Sequence, residues 1–285
     1  MKIAVLSGKG GTGKTFIAVN LAAAAEGSAY IDCDVEEPNG HLFFKPRDVA
    51  KDDVKVLVPQ VDQDKCDGCR VCVNFCKFKA LAYVAGQLLV FEEMCHSCGG
   101  CVLFCPQEAL TEKERVIGRI EKGRSENVLV TTGFLNPGEE TGVPIIERLL
   151  KDGPETGTTV IDSPPGSSCS VMESIVDADY CLLVAESTSF GIHNFKLVHE
   201  LVELFEKPAG VIVNKSFGDD ELVENYCTEK GLEIIGKIPF DRKLGQQLSY
   251  GDIVVRKDKA YDEMFTGFLQ KIAKEVGASA TTARS

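Results

Sequence analysis

The sequence predicts an α/β fold, a mostly parallel sheet covered by helices on both faces and interrupted by a small α+β module. Three observations predict it. Short, almost continuously apolar runs alternate with helix-length segments through most of the 285 residues, which is the pattern of strands buried on both sides. That alternation fails between about Gln60 and Thr111. Eight of the chain's twelve cysteines fall in the same gap, in two runs of identical spacing.

Lys2–Leu6 reads as a buried strand running into Ser7-Gly8-Lys9-Gly10-Gly11-Thr12-Gly13-Lys14-Thr15, which fits the phosphate loop G-x-x-x-x-G-K-Ser/Thr. Glycines let the backbone N–H groups of Gly8, Gly10, Gly11, Thr12 and Gly13 close around phosphate oxygens. Lys14 would reach the β- and γ-phosphates, and the Thr15 hydroxyl would bind Mg²⁺. Phe16 opens a helix-forming stretch that extends to Ala25. Strand Ala29–Ile31 then leads to Asp32-Cys33-Asp34-Val35-Glu36-Glu37-Pro38-Asn39. Two acids at a strand end also serve as ordinary helix caps.

Beyond the cysteine block, Val128–Thr132 is the next strand, and Leu135–Gly142 is a loop entering a helix. Thr158–Asp162 is a second buried strand ending in an acid, followed by Ser163-Pro164-Pro165-Gly166. Strand Tyr180–Ala185, helix Ile192–Phe205, strand Ala209–Asn214, helix Leu222–Lys230 and strand Glu233–Ile238 follow. Asn214 and Pro239 stand at strand ends, where both also serve plain turn chemistry. Tyr261, Met264, Phe265, Phe268, Leu269, Ile272 and Val276 recur at helical spacing. The apolar side is broad and the lysines few, so this final helix is expected to pack on the sheet rather than anchor in a membrane, with an uncharged tail Gly277–Ala283 behind it.

The cysteine runs are Cys66-x-x-Cys69-x-x-Cys72-x-x-x-Cys76 and Cys95-x-x-Cys98-x-x-Cys101-x-x-x-Cys105-Pro106. One such run wraps a cubane cluster with three near ligands and sends its fourth cysteine to the other cluster. Two 4Fe–4S clusters are therefore predicted, one on Cys66, Cys69, Cys72 and Cys105, the other on Cys95, Cys98, Cys101 and Cys76. Zinc or disulfides are the competing readings. The repeat extends past the ligands, since Val73 matches Val102, Phe75 matches Phe104, and Ala80-Leu81 matches Ala109-Leu110. This segment resembles a bacterial-type ferredoxin. Lys77, where the second run has Pro106, departs from that pattern without removing a ligand.

With Lys9 preceding Lys14, the glycine loop resembles the deviant phosphate loop of the MinD/ParA/Mrp and nitrogenase iron protein class. The resemblance spans nearly the whole chain, and it implies a P-loop ATPase interrupted by a ferredoxin insert: residues 1–59 and 114–285 around a 60–113 module. Pro59 and Thr111–Glu114 mark the expected joints. By that resemblance Mg-ATP is the ligand, and Lys9 crosses a dimer of identical or related chains to the partner's phosphates. Asp34 orients the attacking water, Asp32 lies near the metal, and Asp162 holds Mg²⁺ through water in a second switch of the form D-x-P-P-G. Gly166 senses the γ-phosphate, Asn214 contacts the base edge and Pro239 walls it. In the iron protein a switch cysteine near the position of Cys169 joins a cluster shared across the dimer. No second cysteine falls between Gly118 and Pro154, so a third, bridging cluster is not expected.

The net charge of −12 speaks against duplex nucleic acid as a partner. No apolar run approaches the ~20 residues of a membrane span, and no signal peptide is legible. Many cysteines without an export signal suggest metal in a reducing cytoplasm. Cys181 and Cys227 are expected in the core, while Cys33 lies between the switch acids. Three functions follow as expectations. The leading one is an ATP-hydrolysing dimeric switch gating electrons from its clusters to a partner protein; the others are an iron–sulfur or metallocofactor assembly factor and a MinD/ParA-like spatial organiser with redox-sensing clusters.

Overall fold

A computed structural model describes the backbone of residues 1–282 and side chains through Ala278, so the expected tail Gly277–Ala283 ends outside the described residues. In chain order the elements are β1 (Lys2–Ser7), α1 (Lys14–Ala24), β2 (Ala29–Asp32), α2 (Gly40–Phe44), β3 (Arg47–Val61), α3 (Val71–Phe75), β4 (Leu81–Val84), β5 (Gln87–Val90), α4 (Gly100–Leu103), β6 (Leu110–Ser125), β7 (Val128–Leu135), α5 (Val143–Lys151), β8 (Thr159–Asp162), α6 (Cys169–Val176), β9 (Tyr180–Ala185), α7 (Ser189–Leu204), β10 (Ala209–Ser216), α8 (Glu221–Lys230), β11 (Glu233–Pro239), α9 (Arg242–Ser249) and α10 (Lys259–Thr282).

One nine-stranded sheet, ordered β11-β10-β9-β1-β8-β2-β7-β6-β3, carries the fold. From β11 to β7 every neighbour is parallel. Side chains alternate faces along a strand, and both faces are covered. Ile3 and Val5 of β1 pack with α1 and α10, while Ala4 and Leu6 pack with α6, α7 and α8. Helix α10 is a packed final helix, as its spacing predicts. Phe265, Phe268 and Ile272 are buried, and Phe265 meets Phe16 of α1 edge-on at 5.8 Å. No helix among the described residues is long and apolar enough to cross a membrane.

The far edge departs from the sequence reading. β6 runs antiparallel to β7, and β3 runs antiparallel to β6 from Arg47 opposite Arg124 to Val61 opposite Leu110. This long charged ribbon has neither the apolar run of a buried strand nor a clean alternation, so its pattern hid it. At its tip the β4–β5 hairpin, α3 and α4 close around Cys72, Leu81, Leu88, Cys101 and Leu110. The residues expected as joints, Pro59 and Thr111–Glu114, lie inside the ladder, with Pro59 opposite Glu112. β3 is an edge strand, where a proline's missing N–H breaks no ladder.

Candidate functional site

The C-terminal ends of β1, β2 and β8 converge beneath the glycine loop. Gly13, at φ 95°, caps α1, and a Cβ there would sit 2.1 Å from the Asn214 amide nitrogen. Gly8 is equally constrained, since a Cβ would meet the Asn194 backbone at 2.3 Å. Gly10 and Gly11 face open space, the geometry that lets a ligand approach backbone N–H groups. Three donors brace the loop from below: Thr12 Oγ1 to the Lys9 carbonyl (3.3 Å), Asn214 Nδ2 to the Thr12 carbonyl (2.7 Å) and Lys215 Nζ to the Gly11 carbonyl (2.6 Å). Above it lies a cavity of about 520 Å³, walled by the loop, by Asp34–Glu37 and by Pro164 and Pro165. The loop and both predicted switches thus share one chamber.

Its floor is strongly acidic. The Lys14 ammonium bonds Asp162 Oδ1 and lies 3.8 Å from Asp34 Oδ2. Tyr30 donates its hydroxyl to the other Asp162 oxygen at 2.8 Å. Asp32 accepts the N–H groups of Gly40 (2.9 Å) and Asp34 (3.2 Å). Asp32 and Asp162 are wholly buried. Burial, reinforced by Asp162, raises the Asp32 carboxyl above its ordinary range against the pull of Lys14. Burial likewise lifts Asp34 to about 6, again opposed by Lys14. Burial alone would lower the Lys14 ammonium, but Asp162, Asp34 and Asp32 together hold it above its usual value. Three carboxylates against one ammonium is a donor set that a divalent cation would balance. Among the described residues no three His, Cys, Asp or Glu side chains gather around one ion point.

The other predicted residues divide. Thr15 lines the chamber, and so does Phe16 in the first turn of α1, whose ring is buried in the core. Gly166, at φ 90°, donates its N–H to the Ser7 carbonyl at 2.9 Å, tying the second switch to the loop. Lys9 folds back on its own chain, 3.2 Å from Glu186 and 5.3 Å from the Phe190 ring centre. Asn214 and Pro239 do not line the chamber; Asn214 is buried and committed to the loop carbonyl. Sequence reasoning missed Tyr30 and Glu186. Tyr30 had a signal, since it stands two residues before Asp32 and so on the same strand face; Glu186 had none.

The eight cysteines of the two runs fall into two quartets, each lining its own cavity. Cys76, Cys95, Cys98 and Cys101 line one cavity of about 260 Å³, together with Phe75, Phe78 and Leu81. Cys66, Cys69, Cys72 and Cys105 line a second, tighter one. Each holds three cysteines of one run and the fourth of the other. Backbone N–H groups point at sulfur in both: Ser97 to Cys95 Sγ at 3.4 Å and Ala109 to Cys105 Sγ at 3.3 Å. Cys181 and Cys227 are buried in the core, Cys33 is buried between the switch acids, and Cys169 is exposed at the start of α6.

A continuous set of contacts joins the two regions. Val35, next to Asp34, accepts the Leu135 N–H at 2.9 Å, and its side chain fills the space above Gly133 and Gly142. The loop between those glycines carries Glu139. Arg115 grips Glu139 through two bonds of 2.8 and 2.6 Å, and also donates to the Glu92 carbonyl at 3.3 Å, three residues before Cys95.

Comparison with known proteins agrees with this architecture. Residues 3–254 match the CobQ/CobB/MinD/ParA nucleotide-binding domain. The uncharacterized protein MJ0579 of Methanocaldococcus jannaschii is 30% identical over 250 residues, covering 86% of this chain and 87% of that one. Among solved structures, the cell-division ATPase MinD of Pyrococcus furiosus is similar with a TM-score of 0.60 at 16% identity, covering 96% of this chain and 98% of that one. MinD of Pyrococcus horikoshii, complexed with Mg-ADP, is similar with a TM-score of 0.57 at 16% identity, covering 97% of each chain. With its phosphate loop, parallel sheet and matched length, the chain belongs to the CobQ/CobB/MinD/ParA family of nucleotide-binding proteins.

Proposed function

We propose that the protein is an ATP-hydrolysing switch of the MinD/ParA kind that gates electron delivery from two 4Fe–4S clusters, held in its cysteine module, to a partner protein. The observation that carries the reading is the pairing of one acidic nucleotide chamber with two separate four-cysteine cavities on the same sheet edge. In the chamber, Lys14 would exchange Asp162 and Asp34 for the β- and γ-phosphates, and the loop N–H groups would hold the remaining oxygens. Thr15, Asp162 and Asp32 would hold Mg²⁺ and its waters. Asp34, released from Lys14, would orient the attacking water. Lys9 would leave Glu186 and reach across a dimer. The clusters, when bound, supply one-electron transfer; Cys76 and Cys105 tie the two cavities together, and apolar walls of Phe75 and Phe78 limit water.

The likeness to cell-division MinD structures favours a second reading, a spatial organiser whose clusters sense redox state. The assembly-factor reading makes the clusters cargo. Anaerobic purification is expected to give about eight irons and eight labile sulfides per chain. Mg-ATP should then shift the reduction potential without iron loss. Transfer of iron to an apo acceptor would favour cargo instead, and ATP-dependent polar patterns in cells with an unmoved potential would favour the organiser. Two zincs with no sulfide in protein never exposed to air would overturn the cluster assignment.

A further inference from the structure

A second polar cavity, of about 630 Å³, opens at the opposite end of the sheet from the nucleotide loop. It lies beside the β6–β7 turn. Thr132 of β7 is level with Asp32, and β7 begins at Val128, so the cavity sits roughly 13 Å further down the strands. Five cations line it in a chain that carries twelve excess negative charges. Its two acids are already used: Glu126 pairs with Arg256 at 3.3 Å and Asp252 with Lys257 at 2.6 Å. Arg47 and Arg124 remain, directly opposite each other across the antiparallel ladder. Both are exposed, and neither has an ion pair among the described residues. Like charges placed so are destabilising. Lys45, in a left-handed conformation at the end of α2, donates to the Tyr250 carbonyl at 3.5 Å and has no ion pair among the described residues. Arg256 is fixed at the rim by bonds to the Ser125 hydroxyl (3.0 Å) and carbonyl (3.1 Å).

We propose that this cavity binds a phosphate-bearing small anion. Two opposed guanidinium groups with a lysine beside them match the bidentate demand of phosphate oxygens, and such an anion removes the repulsion that the fold otherwise tolerates. A concave site of this volume is the size of a small-molecule pocket. A flat acidic protein surface would not fill it.

Calorimetry with inorganic pyrophosphate tests it on the full chain, with the nucleotide loop first saturated by Mg-ADP. The expected result is binding that weakens steeply with salt and falls at least about tenfold in Arg47→Ala/Arg124→Ala, since two charge-assisted contacts are lost. Without pyrophosphate the same variant should melt no lower than wild type and should bind Mg-ADP normally, which separates a lost site from a lost fold. Pyrophosphate heat that vanishes once Mg-ADP is bound, or that survives the double substitution, would overturn the proposal. So would binding of an acidic peptide with no response to pyrophosphate.

Discussion

Arg115→Met should loosen the cysteine module from the nucleotide-binding domain by an amount the geometry sets. The guanidinium makes two charge-assisted bonds to Glu139, with side chains only 16% and 8% exposed. Hydrogen bonds to charged groups contribute about 1.5–3 kcal/mol, and removing one partner leaves the other carboxylate desolvated and unpaired. Residual solvent screening reduces this, so the local loss is about 2 kcal/mol. That corresponds to roughly thirty-fold faster opening of the segments on either side. Native-state hydrogen exchange reads it directly, at the Cys95 amide bonded to the Glu92 carbonyl and the Glu139 amide bonded to the Asn136 carbonyl. A second substitution, Glu139→Met, completes a cycle whose coupling energy should be about 1.5–2 kcal/mol. If the two substitutions add to within about 0.5 kcal/mol, or if protection falls evenly across the sheet, the contact does not join module and domain. A potential that still responds to Mg-ATP in Arg115→Met would remove it from the coupling between them.

Three further outcomes are expected. Lys14→Ala should lose Mg-ATP binding by isothermal titration, whereas Asp34→Ala should bind and turn over slowly; equal hydrolysis by Asp34→Ala and wild type would refute the switch assignment. Cys76→Ser should damage the cluster walled by Cys95, Cys98 and Cys101 more than that of its own run, read by EPR after reduction; damage confined to the quartet of Cys66, Cys69 and Cys72 would refute the crossed pairing. His199, buried beside Tyr226 at 2.9 Å, has its titration lowered chiefly by burial. The unfolded chain therefore binds the extra proton as pH falls below about 6.5, and stability should drop there. In His199→Gln the melting temperature should be flatter between pH 7 and 5, and an unchanged slope would refute this.

What the sequence made legible follows from which forces are local. The glycine loop, the strands ending at Asp32 and Asp162, and the eight-cysteine repeat are written as contiguous spacing, because phosphate and metal chemistry demand fixed residue types at fixed offsets. The β3–β6 ribbon was not legible. Its two strands, charged along much of their length, are specified by each other across about fifty intervening residues, and no window of one strand contains that information. The same holds for Lys9 with Glu186 and Lys215 with Gly11, which are pairings made by the fold. Asn214 shows a different limit. A strand-end asparagine suggests a base contact, yet in the folded chain its amide braces the loop that holds the phosphates.

In the proposed switch the ribbon is the route by which a nucleotide would act on the module. β2, which ends in the first switch, is hydrogen-bonded to β7, and β7 to β6, whose far end enters the cysteine module. Two strand spacings are about 10 Å, so no long relay is needed. What is needed is a difference in contacts between states, because a ligand shifts an equilibrium only through its differential affinity. Lys14 on Asp162 and Asp34, and Lys9 on Glu186, are contacts that a bound triphosphate and a closed dimer would both break. Freeing Asp34 would shift its neighbour Val35, whose side chain fills the space over Gly133 in β7 and Gly142 at the end of the Glu139 loop. By reciprocity, reducing the clusters should then change Mg-ATP affinity by the same factor that Mg-ATP changes their potential, about 1–3 kcal/mol for couplings of this kind. Lys9→Ala should abolish both effects together while leaving iron content intact. Loss of one without the other would violate linkage, and would mean that the two measurements had not sampled the same pair of states.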